Sequence, residues 1–213
     1  MEIKFSGEEK QFYYSILEKF QAKRDKKGPI TIDSLNFSSY SNENFRIFHG
    51  VTKIVLVPKN KGARYVLKIP IGNINYCEGE VRVYMRAEER GVEKFFAPTE
   101  FFDMSIDCMV YIQLRAKANP YGNGDEEYWS NQDWSELTED SVEEATWNGM
   151  SEQLIDEIVG WCGPREAQDF IDFCNRECIN DIHSGNFGFY KGHPMVFDYS
   201  GIGDQACRVR SLI

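Results

Sequence analysis

Two aspartates and an asparagine in the last fifth of the chain carry its strongest chemical signal. Asp181 and Asn186 stand five apart in the polar run Asp181-Ile182-His183-Ser184-Gly185-Asn186, entered from a helical stretch. Asp198 follows at the end of an apolar strand, in Val196-Phe197-Asp198-Tyr199-Ser200-Gly201. Phosphoryl transfer asks for such a set: one carboxylate to orient an attacking hydroxyl, and an amide oxygen with a second carboxylate to hold Mg²⁺ on the phosphates. The protein adds little covalent chemistry to that reaction, so positioning and charge neutralisation make up most of the catalysis. Far upstream, Lys68 lies between apolar neighbours in Val66-Leu67-Lys68-Ile69. Period-two alternation puts it on one strand face with Val66 and Pro70.

Asp-Ile-His-Ser-Gly-Asn resembles the Asp-Leu-His-Pro-Gly-Asn catalytic loop of the protein kinase-like superfamily, in its aminoglycoside-phosphotransferase-type and atypical branches. The resemblance implies ATP and Mg²⁺ as cofactors. It implies Asp181 as catalytic aspartate, with Asn186 and Asp198 as metal ligands, Asp198 occupying the Asp-Phe-Gly position. Val66-Leu67-Lys68-Ile69 is similar to the Val-Ala-Ile-Lys strand, which makes Lys68 the phosphate-side lysine. Glu80 is then its ion-pair partner, with Glu78 the alternate; the two sit about 200° apart around a helix, so both cannot serve. Gly50-Val51-Thr52-Lys53 resembles a reduced glycine-rich turn, with Gly50, Thr52 and Lys53 at the phosphates. Tyr111-Ile112-Gln113-Leu114 would be the connector between lobes, Ile112 and Gln113 meeting an adenine edge through the backbone. Twelve residues follow Gly201, which leaves no length for an activation segment or substrate-binding helices. The resemblance therefore covers about residues 45–205 as a minimal nucleotide-binding core.

The elements that must position these residues are legible in part. A helix is expected over 7–27, with Ser6 and Glu9 at capping-box spacing and Phe12, Ile16, Leu17 and Phe20 as its apolar face, stopped by Gly28-Pro29. Three antiparallel strands are expected within 46–71, a helix over 76–90 ending at Gly91, and strands at 97–103 and 107–114. Residues 115–150 read as polar and irregular. Helices follow at about 151–162 and 164–178, with Pro164 in a first turn, then a hairpin at 187–190 and 195–198. The expected fold class is α+β: a two-lobed kinase-like fold with an N-terminal helix and extension at 1–44, a five-stranded antiparallel lobe at 45–114, and a truncated, mainly helical lobe at 115–213.

Composition sets the outer limits. Hydrophobic residues make up 42% of the chain and charged ones 27%, enough for a packed domain and against wholesale disorder. No apolar run approaches the ~20 residues that span a bilayer, and the N-terminus lacks an apolar signal core. The six cysteines form no CxxC pair and are expected as reduced thiols of a cytoplasmic protein. Residues 1–117 hold 19 Lys and Arg against 15 Asp and Glu, whereas residues 118–213 hold 5 against 19. That balance argues against nucleic acid as partner. The acidic 118–164 region is a solvated face or a docking surface for a basic protein. His183 and His193 read as structural residues rather than metal ligands. Tyr128, Trp129, Trp134 and Trp147 read as packing residues more readily than as a stacking platform. Three functions stand open: an ATP/Mg²⁺ phosphotransferase whose acceptor is a small molecule or a protein, a pseudokinase serving as a binding module, and an acidic interaction protein that takes no nucleotide.

Overall fold

The computed structural model describes residues 3–27, 43–71, 75–104, 108–120 and 132–199. The chain is α+β, with a five-stranded antiparallel sheet and five helices among the described residues. It divides into two compact units, one of residues 1–81 and 98–115, the other of 82–97 and 116–213. Residues 82–97, expected with the first lobe, thus group with the second unit. Tyr128, Trp129, Ser200, Gly201 and Cys207 lie outside the described residues. Among the described residues no helix is long and apolar enough to cross a membrane.

The first unit is built on the order β1-β2-β3-β5-β4. Its strands are β1 (Phe45–His49), β2 (Lys53–Pro58), β3 (Tyr65–Pro70), β4 (Thr99–Asp103) and β5 (Val110–Leu114). β3 is buried at every residue from Tyr65 to Ile69, so something must cover both its faces. Helix α1 (Gly7–Lys27) covers one. Its capping box forms as the spacing predicts: the Glu9 amide donates to Ser6 Oγ (3.1 Å) and the Ser6 amide to Glu9 Oε2 (3.2 Å). Tyr13, Ile16, Leu17 and Phe20 are its buried face; Tyr13 takes the place expected of Phe12, which is only half-buried. Tyr13 packs edge-on against Tyr65 and Phe5 and accepts the Tyr65 amide at 2.9 Å. The opposite face of β3 meets the start of helix α2 (Tyr76–Arg90). Asn75 caps that helix, its Oδ1 accepting the Glu78 amide (3.0 Å) while its Nδ2 donates to Tyr111 Oη (2.7 Å) on β5.

The second unit packs α3 (Glu139–Trp147), α4 (Glu152–Cys162) and α5 (Pro164–Arg176) with residues 82–97 and a small sheet. Phe95 and Phe96 stack into Phe170 and Phe173; this aromatic packing is why 82–97 belongs here. Pro164 does open α5. The sheet has the order β6-β7-β8, from Lys117–Ala118, Phe187–Tyr190 and His193–Val196. Gly188 permits it: a Cβ there would lie 2.2 Å from the Lys117 carbonyl oxygen on β6. Helix α3 lies inside the stretch expected to be irregular. Trp134 donates its indole N–H to buried Asp156 at 2.7 Å, a packing role, whereas Trp147 is exposed. Cys77, Cys108, Cys162 and Cys174 are thiols.

Candidate active site

The register of the large sheet gathers polar residues from four strands onto one face. Val55 pairs with Lys68 and Lys53 with Pro70; Val66 pairs with Gln113 and Lys68 with Tyr111; Thr99 pairs with Gln113. Residues directly opposite in an antiparallel ladder share a face, so Lys53, Lys68, Thr99 and Gln113 all point the same way. Glu80 of α2 meets them there. Lys68 Nζ donates to both its oxygens, at 2.9 and 2.7 Å. Lys53 Nζ donates to Oε1 at 2.5 Å. Gln113 Nε2 lies 3.3 Å from Oε2 and donates to Thr99 Oγ1 at 2.7 Å. Every member is buried, Glu80 completely. A carboxylate is held in such a place only when charged donors surround it. Between the two glutamates that the sequence offers to Lys68, Glu80 makes the contact; Glu78 is half-buried at the capped first turn.

Three expectations for this unit change. Lys53 is not part of a glycine-rich loop but the first residue of β2, with its ammonium drawn inward to Glu80. Gly50 closes a tight turn in which its amide donates to the Lys53 carbonyl (2.9 Å), and the Thr52 carbonyl accepts the Ile71 amide (2.9 Å). The Gly50 amide is thereby committed to the turn rather than to a phosphate. Ile112 and Gln113 lie in the middle of β5, between β3 and β4. Their backbones run in ladders on both sides and so do not present an adenine-reading edge; the boundary between the units follows at Arg115.

In the second unit the loop at 181–186 is clamped from several directions. Asp181 is exposed and takes the left-handed region, φ +62°, a conformation that costs free energy in a non-glycine residue and needs support. Its amide donates to the Asn148 carbonyl (2.9 Å), and its carbonyl accepts from Asn186 Nδ2 (2.7 Å). Ile182 is fully buried, and its carbonyl accepts the Ser151 amide (2.9 Å). Gly149, at φ +88°, makes the close approach feasible: a Cβ there would sit 3.3 Å from both Cα and N of Asp181. Beneath the loop, buried Asn119 donates to the Ser184 carbonyl and to Gln153 Oε1.

The same loop gathers Asp198. The Asn186 carbonyl accepts the amides of Phe197 (3.0 Å) and Asp198 (3.3 Å). Tyr199 anchors the next position, fully buried against Phe96 with its hydroxyl on the Ala97 carbonyl at 2.6 Å. Asn186 Nδ2 is committed to the Asp181 carbonyl, so Oδ1 is the acceptor that its side chain can offer a cation. Asn186 Oδ1 and the Asp198 carboxylate are hard oxygen donors, and a Mg²⁺ shared with phosphates takes only one or two protein carboxylates. The donor set therefore fits. Among the described residues no three His, Cys, Asp or Glu side chains gather to form a self-sufficient metal cage. His183 Nδ1 accepts the Gly185 amide at 3.0 Å, and His193 stacks on Trp161, so each has a local structural partner.

No family model, curated protein or solved structure matches the chain.

Proposed function

We propose that the chain is an ATP- and Mg²⁺-dependent phosphotransferase of kinase-like, two-lobed architecture, acting on a hydroxyl acceptor. The observation that carries this reading is the loop in which Asn186 holds the Asp181 carbonyl with its side chain and the Asp198 amide with its backbone. The three residues read here as proton acceptor and oxygen ligands are thus linked by hydrogen bonds through Asn186. In this reading Asp181 accepts the proton of the attacking hydroxyl as its oxygen bonds to the γ-phosphorus and the bond to the leaving ADP oxygen breaks. Asn186 and Asp198 would hold Mg²⁺, which supplies neutralisation of phosphate charge. Lys68 neutralises phosphate oxygens, and Glu80 keeps its ammonium in one rotamer, so that little ordering remains for the moment of reaction.

A second reading, a nucleotide-binding module without turnover, is favoured by the Gly50 turn, whose amide is spent on Lys53. Both readings require nucleotide. The test is thermal melting with and without ATP and Mg²⁺ for the wild type and Asp198→Ala. Ligand at a hundredfold excess over Kd should add about 2.7 kcal/mol to the wild type and far less to the variant. Absence of any ATP-dependent shift in the wild type rejects both readings.

A further inference from the structure

We infer that Gln153 is a positioning residue for the 181–186 loop, acting through Asn119 on the Ser184 carbonyl and so on the pair Asp181 and Asn186. The inference rests on the phosphotransferase reading above and extends it to two side chains outside the loop's own run of sequence.

The loop is held from outside at successive residues. The Asn148 carbonyl takes the Asp181 amide, and the Ser151 amide donates to the Ile182 carbonyl. At Ser184 the hold is a relay of side chains. Asn119, just past β6, donates through Nδ2 to the Ser184 carbonyl at 3.3 Å and to Gln153 Oε1 at 2.8 Å. Gln153 lies in the first turn of α4, so one helix end grips the loop twice, by a backbone amide at Ile182 and by this relay at Ser184. A carbonyl oxygen can only accept, which turns Asn119 Nδ2 toward the loop. That nitrogen in turn requires Gln153 to present Oε1, since the two ends of an amide are told apart by the bonds they make. The same orientation leaves Gln153 Nε2 buried without a hydrogen-bond partner among the described residues, in a residue only 4% exposed. An unpaired buried donor costs free energy. Leu154, Ile155 and Ile158 on the same helix are buried, and a methionine of similar length would fill position 153 without that cost. Stability alone therefore does not account for the amide; its acceptor toward Asn119 does. With Ser184 held, the Asn186 amide keeps its bond to the His183 carbonyl, and Asn186 Nδ2 keeps its bond to the Asp181 carbonyl. Fixing the reacting groups before the reaction is what such a loop contributes to rate.

The test follows γ-phosphate release or transfer from ATP with Mg²⁺, taking kcat and KM separately, beside urea melts of the same proteins. The proteins are the wild type, Gln153→Met, Gln153→Glu, Asn119→Leu and the double variant Asn119→Leu, Gln153→Met. Gln153→Met should fold at least as stably as the wild type, yet lower kcat by about tenfold or more with KM changed by less than about twofold. Gln153→Glu, which keeps an acceptor toward Asn119, should hold kcat within about threefold of the wild type. Because Gln153 acts through Asn119, the double variant should lose no more kcat than Asn119→Leu alone. Unchanged kcat in Gln153→Met overturns the inference. So does a loss that tracks stability and is shared by Gln153→Glu, and so do losses that multiply in the double variant. If Gln153→Met does not fold, Gln153→Leu is read by the same split. A wild type without turnover overturns the phosphotransferase reading and the inference with it, an outcome distinct from a wild type that turns over ATP while the variants match it.

Discussion

Removing the Glu80 carboxylate should be among the costlier truncations in the first unit. In Glu80→Ala, Lys53, Lys68 and Gln113 all lose an acceptor at a site where Glu80 itself has no exposure. Stripping one partner from a buried ion pair costs about 3–5 kcal/mol, because the other charge stays behind without compensation. For a chain of this length about 1 kcal/mol moves the melting midpoint by roughly 2–4 °C, so a fall on the order of 6–20 °C is expected. Glu80→Gln keeps the shape and one acceptor and should fall between wild type and alanine. The triple variant Lys53→Met, Lys68→Met, Glu80→Leu should recover most of the lost stability, since well-packed apolar residues replace buried ion pairs at little or no cost. It should show no ATP-dependent shift. Thermal and urea melts followed by circular dichroism give the values. If Glu80→Ala loses under about 1 kcal/mol, a figure typical of exposed pairs, the network is hydrated and the reasoning from burial is wrong.

Gly188→Ala should destabilise the second unit by about 1–3 kcal/mol, the usual cost of overpacking, because its Cβ would overlap the Lys117 carbonyl at 2.2 Å; urea unfolding that matches wild type would show that β6 moves aside freely. Gly149→Ala should cost about 1–2 kcal/mol for its left-handed backbone and lower turnover more than nucleotide affinity, since it presses on the Asp181 backbone; equal losses in both would contradict that link. Burial pushes the Tyr13 phenol up to about 12. The folded state therefore holds a proton that the unfolded chain releases near pH 10, so stability should fall as pH rises from about 10 to 12. Tyr13→Phe should flatten that fall in an alkaline melt series, and an unchanged slope would assign it to other groups.

The parts of the site that sequence reached are those set by short spacings. Asp181 and Asn186 are bridged within one loop, and Lys68 and Glu80 lie on adjacent elements a few residues apart, so strand period and helix pitch bring them into view. Lys53 was legible as a candidate but not in its place. Its inward course depends on pairing Lys53 with Pro70, a register set by the turn between β2 and β3, where the Ala63 amide bonds the Asn60 carbonyl, and not by local composition. Ile112 and Gln113 were misplaced because a buried central strand and an interlobe connector look alike as a short apolar run; only pairing on both sides distinguishes them. Helix α3 escaped notice because Ala145 is its one buried residue, amid Glu139, Asp140, Glu143 and Glu144, and so little apolar periodicity marks it. The assignment of 82–97 to the second unit rests on Phe95 and Phe96 meeting Phe170 and Phe173, contacts more than seventy residues apart in the chain.

The most direct test of phosphotransfer is the fate of a γ-labelled phosphate with Asp181 intact and altered. Wild type and Asp181→Asn would be incubated with γ-labelled ATP and Mg²⁺, alone and with candidate hydroxyl acceptors, and ATP affinity measured in parallel. Asparagine keeps the shape but not the proton-accepting carboxylate, so the chemical step should slow at least a hundredfold, a typical contribution of a positioned base, while ATP affinity stays within a few-fold. Label transferred or released at equal rates by the two proteins would contradict the role given to Asp181, and ATP bound by both with no turnover by either would leave a binding module in place of an enzyme.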